Sequence, residues 1–125
     1  PLRRQRQMCI RDSRKIAVAV QQMWKKELNI DVTISNQEWK VYLDSVDQMD
    51  FDIARRGWIG DYVDPNNFLD LFISSGGNNS TGYADGIYDD LVLRKATKAS
   101  SRELRYQIFH RAETMLMQAM PIIPI

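Results

Sequence analysis

The chain has 125 residues, of which 44% are hydrophobic and 26% charged, which is enough for one folded domain with its own core. Its 17 basic and 16 acidic residues give a net charge of +1, so composition offers no electrostatic basis for binding nucleic acid or an anionic membrane. No apolar run approaches the about 18 residues that a membrane-spanning helix needs.

Residues 1–13 differ in character from the sequence that follows them. Arg3–Ser13 (RRQRQMCIRDS) shows no hydrophobic periodicity, is rich in arginine and resembles a translated sequencing adapter. We expect residues 1–13 to be a non-native or disordered tail, in which case Cys9 carries no information about disulfides or metals. A nucleic-acid-binding arm is the alternative that the charge pattern leaves. Because the chain begins with Pro1 and ends in PIIPI, we expect residues 14–125 to be a fragment truncated at both ends.

A helix, a strand and a second helix are predicted in the first part of the chain. Apolar residues at helical spacing predict a helix over Ser13–Leu28, capped by its first residue and stopped by Asn29. Apolar and polar residues alternate over Ile30–Ser35, which predicts a strand with one buried face. Asn36 is the predicted cap of the next helix, at about Glu38–Val46.

The second part of the chain adds further strands and helices. The remaining predicted elements are, in chain order, a strand at about Phe51–Ile59, a short helix at Asn67–Ile73, a loop at Ser74–Ser80, a helix at Ile87–Ala99, a long helix capped by Ser100–Ser101 and a last strand from Ile122. Helices alternate with strands at the start of the chain. This order predicts an α/β fold with a mixed sheet flanked by helices.

The most informative stretch is Phe51–Phe72, FDIARRGWIGDYVDPNNFLDLF. At the end of its predicted strand it brings together a flexible backbone position, an aromatic ring and a carboxylate, in Gly57, Trp58 and Asp61. These groups suit a site that binds a polar, charged ligand better than they suit a catalytic site. Trp39 and Trp58 both fit either a hydrophobic core or an amphipathic cleft wall.

The sequence gives catalysis and metal binding little support. It contains no nucleophile elbow, P-loop or dinucleotide-binding fingerprint. His110 is the only histidine and Cys9 the only cysteine, which excludes zinc and other nitrogen–sulfur metal sites. The acidic residues from Asp61 to Asp70 miss the calcium-loop pattern and its terminal glutamate. The pair Asp61 and Asp64 leaves one alternative, a carboxylate-dependent hydrolase.

Four segments, in this order and spacing, carry a resemblance to a known family. They are NQEWKVYLD, DFDIARRGWIGDYVDPNNFLDLF, GNNSTGY and the ending AETMLMQAMPIIPI. Over residues 14–125 the chain resembles the C-terminal lobe of extracytoplasmic oligopeptide-binding proteins, the family 5 solute receptors of peptide importers. The resemblance implies a partial lobe of a type II periplasmic-binding-protein fold, whose missing second lobe closes over a peptide. It also implies ABC permease subunits as partners, a periplasmic or lipid-anchored extracellular location, no enzymatic activity and no cofactor.

The resemblance also assigns roles to the residues at the end of the second predicted strand. Asp61 matches the aspartate that receives the α-ammonium group of the peptide, a role that suits an acceptor-only carboxylate. Arg55–Ile59 matches the segment whose backbone pairs with the extended ligand. Gly57 would let that backbone approach closely.

The remaining matched positions concern the ligand's side chains and its length. Trp39 and Trp58 match walls of side-chain pockets, and Arg55 matches a position that meets the carboxylate end of a longer ligand. Val46 stands where some members carry a basic residue for the ligand's C-terminus, so a length preference is not transferred. Dipeptide, nickel, haem and sugar receptors of the same superfamily stay as alternatives.

Overall fold

The computed structural model describes residues 2–125, with side chains described from Ser13 onward. The predicted non-native or disordered tail, residues 1–13, falls outside the described side chains except for Ser13, and it stays a prediction. The chain divides into two compact units, one formed by residues 1–44 and 52–56 and the other by residues 45–51 and 57–125.

The first helix, α1, spans Leu2–Leu28 and ends where the sequence predicts. Asn29 follows with a φ of 54°, in the left-handed region that asparagine tolerates. The backbone N–H of Ile30 then donates to the carbonyl of Trp24 at 3.2 Å. Ser13 lies inside α1, so its prediction as the N-cap is wrong. Serine marks a helix start only where the preceding residues break the helix, and no glycine or proline stands between residues 2 and 13.

The second helix, α2, spans Trp39–Asp47, within one residue of its prediction. Its start is satisfied by Glu38 and not by the predicted Asn36, because the Glu38 carboxylate accepts from the backbone N–H of Lys40 at 2.9 Å. At its end, Met49 takes a left-handed φ of 55°, and the N–H of Asp50 donates to the carbonyl of Ser45 at 2.8 Å. This is a Schellman-type ending built without glycine.

Three helices, two of them extended by a further turn, lie in the second unit. Helix α3, Asn66–Leu69, continues as a 3-10 turn over Asp70–Phe72, and α4, Gly86–Asp89, continues as a π-helical turn over Asp90–Lys95. The long helix α5 spans Arg102–Ala119. Ser101 caps α5 as predicted, since its hydroxyl accepts from the N–H of Leu104 at 3.1 Å.

The core of the second unit lies between α5 and the two shorter helices. Its buried members are Leu69, Tyr88, Leu91, Val92, Ala96, Phe109, Ala112 and Leu116. The Tyr88 hydroxyl donates to the carbonyl of Leu69 at 2.6 Å, which ties α4 to α3 inside the core. Burial raises the pKa of Tyr88 well above its usual range, so the hydroxyl stays protonated and remains a donor. This core holds in place the helices that contact the candidate site.

The predicted strands are not formed among the described residues. Residues 30–35, 51–59 and 122–125 are neither helix nor strand. A strand exists only where its backbone pairs with a neighbouring strand, and these three segments do not pair with one another. The alternation of apolar and polar residues predicts which face is to be buried, but it does not supply the partner. The mixed sheet is therefore absent from the described residues.

No helix in the described part of the chain is both long and apolar enough to cross a membrane.

Candidate functional site

The candidate site is the acidic loop, residues 57–64, which lies wholly in the second unit. At its start, the indole Nε1–H of Trp58 donates to the side-chain oxygen of Asn67 at 2.7 Å. Asn67 is only 2% exposed, whereas Trp58 is 37% exposed. Trp58 is therefore not a core residue, because it presents part of its ring to solvent while its polar edge is held by a buried amide.

At the end of the loop, Asp64 is clamped by Arg105 of α5. The two guanidinium nitrogens donate to the two carboxylate oxygens at 2.5 and 2.9 Å, a bidentate pair. Hydrogen bonding by Arg105, opposed by desolvation, lowers the pKa of Asp64 below its ordinary value. The backbone N–H of Asn66 also donates to Asp64. Both oxygens of Asp64 are thus occupied by Arg105, and the lowered pKa makes this carboxylate a weak base and a poor acid, which counts against the acid–base pair that a hydrolase would need.

Asp61 stands between these two fixed points and is exposed. No hydrogen bond or ion pair joins its carboxylate to another described residue. Burial, and to a lesser extent the charge of Asp61, raises the pKa of the nearby Asp70. Ile59, on the same loop, is 88% exposed, and Val63 is fully exposed. The loop therefore presents one unpaired carboxylate among exposed apolar side chains, which suits a ligand with a cationic group and an apolar body.

The two glycines of the loop differ in their surroundings. A Cβ atom added at Gly57 would meet nothing within 4 Å, so open space lies beside this backbone position. A Cβ atom at Gly60 would lie 3.1 Å from Cζ of Phe68. Gly60 therefore serves close packing within the chain, which the sequence did not reveal. The predicted role of Gly57 concerns a ligand and stays a prediction.

Two of the predicted site residues, Trp39 and Arg55, belong to the first unit. Trp39 is 67% exposed and stacks on Tyr42, with ring centroids 5.5 Å apart. The Tyr42 hydroxyl donates to the backbone carbonyl of Arg55 at 3.0 Å. Trp39 is thus a surface aromatic and not a core residue, and its stack is tied to the backbone at Arg55. The other predicted residues, Gly57, Trp58, Ile59 and Asp61, lie together in the acidic loop of the second unit.

Sequence reasoning missed Asn67 and Arg105. Arg105 occupies a position of the apolar stripe of α5, four residues before Phe109 and seven before Ala112, both of which are buried. A charged residue on an apolar stripe is a signal of a partner at the edge of the core. Arg105 also contributes to the wall of an open, polar depression of about 530 Å³, lined in addition by Val63, Asp64, Ala99, Ser100, Ser101, Arg102 and Tyr106.

Comparison with known proteins identifies a matching family and similar relatives. Residues 11–80 match the family model of the bacterial extracellular solute-binding proteins, family 5. The chain is 43% identical over 112 residues to the oligopeptide-binding protein OppA of Bacillus subtilis, covering 89% of this chain and 20% of that protein. It is 42% identical over 111 residues to the periplasmic murein peptide-binding protein MppA of Escherichia coli, again covering 89% of this chain and 20% of the relative.

A solved structure agrees with these relatives. The crystal structure of Haemophilus influenzae OppA in complex with the peptide RPPGFSPFR superimposes with a TM-score of 0.87 at 36% identity. The match covers 92% of this chain and 23% of that one. The chain thus spans about a fifth of the length of the curated relatives that it matches.

Proposed function

The chain belongs to the bacterial extracellular solute-binding proteins, family 5, and we propose that it forms part of a receptor that captures oligopeptides for an ATP-driven importer. A second lobe, outside the sequence described, would close over the ligand, and permease subunits in the membrane would accept it. The proposed location is the periplasm or, on a lipid anchor, the outer face of the cell membrane. Capture and delivery require no covalent bond to be made or broken, and they require no cofactor.

The observation that carries the proposal is the exposed, unpaired carboxylate of Asp61, on a loop whose two ends are held. A carboxylate is an acceptor-only group that forms short, charge-assisted hydrogen bonds to an ammonium group. When a second lobe closes, water leaves the site and the attraction between the two charges strengthens. A ligand without the ammonium group would then leave the Asp61 charge buried and unpaired, which is costly. Asp61 is therefore proposed to select peptides with a free amino terminus.

The neighbouring backbone supports a peptide as the ligand. Residues 55–59 pair with no strand among the described residues, and open space lies beside Gly57. An extended peptide could add itself here as a strand, gaining main-chain hydrogen bonds that do not depend on its sequence. We assign Trp39 and Trp58 to the walls of side-chain pockets and Arg55 to the carboxylate end of a longer ligand. We also propose that residues 30–35, 51–59 and 122–125 enter a mixed sheet in the full-length protein.

The proposal is tested by calorimetric titration of the full-length protein with tripeptides to pentapeptides, either free or N-acetylated. Binding of the free peptides alone is the expected result. The change Asp61→Asn should weaken binding of free peptides by about 2–5 kcal/mol, the range for truncating a buried charged pair. Asp47→Asn, an exposed residue at the end of α2, is the matched control and should bind like the wild type.

The possible outcomes separate the parts of the proposal. Equal binding of free and acetylated peptides would keep a peptide receptor but remove the role of Asp61. Binding of neither set would contradict the oligopeptide function, and dipeptides, sugars, haem and nickel chelates would then be titrated as the other ligands of this superfamily. Release of cleaved peptide during the titration would instead support the hydrolase alternative.

A further inference from the structure

The acidic loop is fastened at both ends by side chains that lie outside it. Trp58, near its start, donates to Asn67, and Asp64, its last residue, accepts two hydrogen bonds from Arg105. Residues 59–63 between these points are exposed. The loop is thus a short span between two anchors, and Asp61 lies in the middle of it.

The Arg105 anchor is connected to the core of the second unit. Its guanidinium lies over the ring of Phe109 at 4.5 Å from the ring centre, and Phe109 is buried. The side chains of Arg105 and Asp64 are only 31% and 26% exposed. A bidentate pair with this geometry fixes the direction of both groups, which a single contact between flexible surface charges does not. The ion pair therefore joins loop and helix across 41 residues of sequence.

The Asn67 anchor is connected to the same core through α3. Asn67 is buried two residues before Leu69, whose carbonyl accepts the hydroxyl of Tyr88. The backbone N–H of Asn67 also donates to the carbonyl of Asp64 at 3.1 Å. Both anchors thus lie on helices whose own positions are set by the buried cluster.

From this arrangement we propose that Arg105 and Asn67 are positioning residues, which hold the acidic loop so that Asp61 meets the ammonium group of the ligand without rearranging. The inference rests on the proposed function and adds to it two residues that need not touch the ligand. A charged hydrogen bond requires its acceptor in a narrow range of directions, and ordering a mobile loop at the moment of binding costs affinity. Anchoring the loop in advance removes that cost.

The experiment is hydrogen–deuterium exchange of the full-length protein without ligand, read by mass spectrometry on peptides spanning residues 57–69. The backbone N–H groups of Asp64, Asn66 and Asn67 report on the loop, because each is hydrogen-bonded there. Arg105→Met should accelerate their exchange about tenfold, the effect of losing a charged hydrogen bond. Arg105→Lys should restore part of the protection, since lysine keeps the charge but not the bidentate geometry.

The control is Arg102→Met, one turn earlier on α5. Arg102 stacks on Tyr106 and donates to its hydroxyl, and it acts on Asp64 only through a weaker coulombic attraction, without a hydrogen bond. Its substitution should therefore accelerate exchange over residues 57–69 far less than Arg105→Met does. Asn67→Leu tests the other anchor independently and should also accelerate exchange in this segment. Peptides from residues 102–116 should exchange normally in every variant, which separates loop release from general destabilisation.

A second readout links the anchors to Asp61. The preference for free over N-acetylated peptide should fall at least about fivefold in Arg105→Met and recover in part in Arg105→Lys. Unchanged exchange over residues 57–69 in both Arg105→Met and Asn67→Leu would overturn the anchoring. Faster exchange with an unchanged preference would overturn the link to Asp61. If the wild type shows no such preference, the proposed role of Asp61 fails, while the exchange data still decide the anchoring.

Discussion

Tyr88 and Tyr83 allow a sharp test of how the core of the second unit is held together. Their rings meet edge to face at 5.4 Å, yet their hydroxyls differ: that of Tyr88 donates to Leu69, whereas that of Tyr83 is buried without a hydrogen-bond partner among the described residues. Tyr88→Phe should cost about 1 kcal/mol of unfolding free energy, because it removes the buried hydrogen bond that the Tyr88 hydroxyl donates to the carbonyl of Leu69. Tyr83→Phe should be neutral or stabilise by up to about 1 kcal/mol, because it removes an unsatisfied group.

The two variants are compared by equilibrium urea unfolding, followed by circular dichroism, in the full-length protein. Both substitutions remove one oxygen from a tyrosine ring in the same region, so they control for each other in size and polarity. Tyr106→Phe is a third variant, on the exposed side of α5, and should change stability by less than about 0.5 kcal/mol. Equal losses in Tyr88→Phe and Tyr83→Phe would refute the reasoning, because the cost would then come from removing a buried oxygen in this region and not from the Leu69 hydrogen bond.

Two further predictions concern Asp64 and Met49. The pKa of Asp64 is lowered by Arg105, and a carboxyl with a lowered folded-state pKa stabilises the fold above its unfolded pKa and loses that contribution as the pH falls. In urea unfolding, the free energy of unfolding of the wild type should therefore exceed that of Asp64→Asn by about 1 kcal/mol at about pH 6. The difference should shrink as the pH falls below about 3.9, the ordinary pKa of an aspartate in an unfolded chain, and vanish once the folded-state carboxyl is protonated. Met49→Gly should raise the melting temperature by relieving a left-handed φ of 55°, a gain of about 0.5–1 kcal/mol that calorimetry would detect; a lower melting temperature would contradict it.

Several helix ends were predictable because their signals are local. Ser101 caps α5 through the N–H of Leu104, only three residues away, and Asn29 ends α1 by its own backbone conformation. The short helix after Pro65 also lies where the sequence placed it. In each case the contacts that decide the structure are made within one or two turns, so the sequence contains both partners.

The parts that sequence reasoning missed depend on partners far along the chain or outside it. The sheet is one such part, since residues 30–35 and 51–59 have no strand to pair with among the described residues. The ion pair of Asp64 is another such part, because its partner Arg105 is 41 residues away and no residue near Asp64 in the sequence indicates that partner. The sequence did contain one signal of this ion pair, namely a charged residue on the apolar stripe of α5. That signal indicates that Arg105 has a partner without saying which one.

The acidic loop combines two features that a self-contained fold avoids. Ile59 and Val63 expose apolar surface, and Asp61 carries a charge without a partner among the described residues. The neighbouring Trp58 and Asp64 are held by hydrogen bonds to Asn67 and Arg105. Local violations of this kind concentrate at sites that await a ligand or another part of the protein. A loop selected only for folding stability is not expected to leave a carboxylate unpaired between two ends that are both held by hydrogen bonds. The sequence identified Asp61 as the candidate carboxylate, whereas the contacts of Asn67 and Arg105 with the two ends of its loop became visible only in the folded chain.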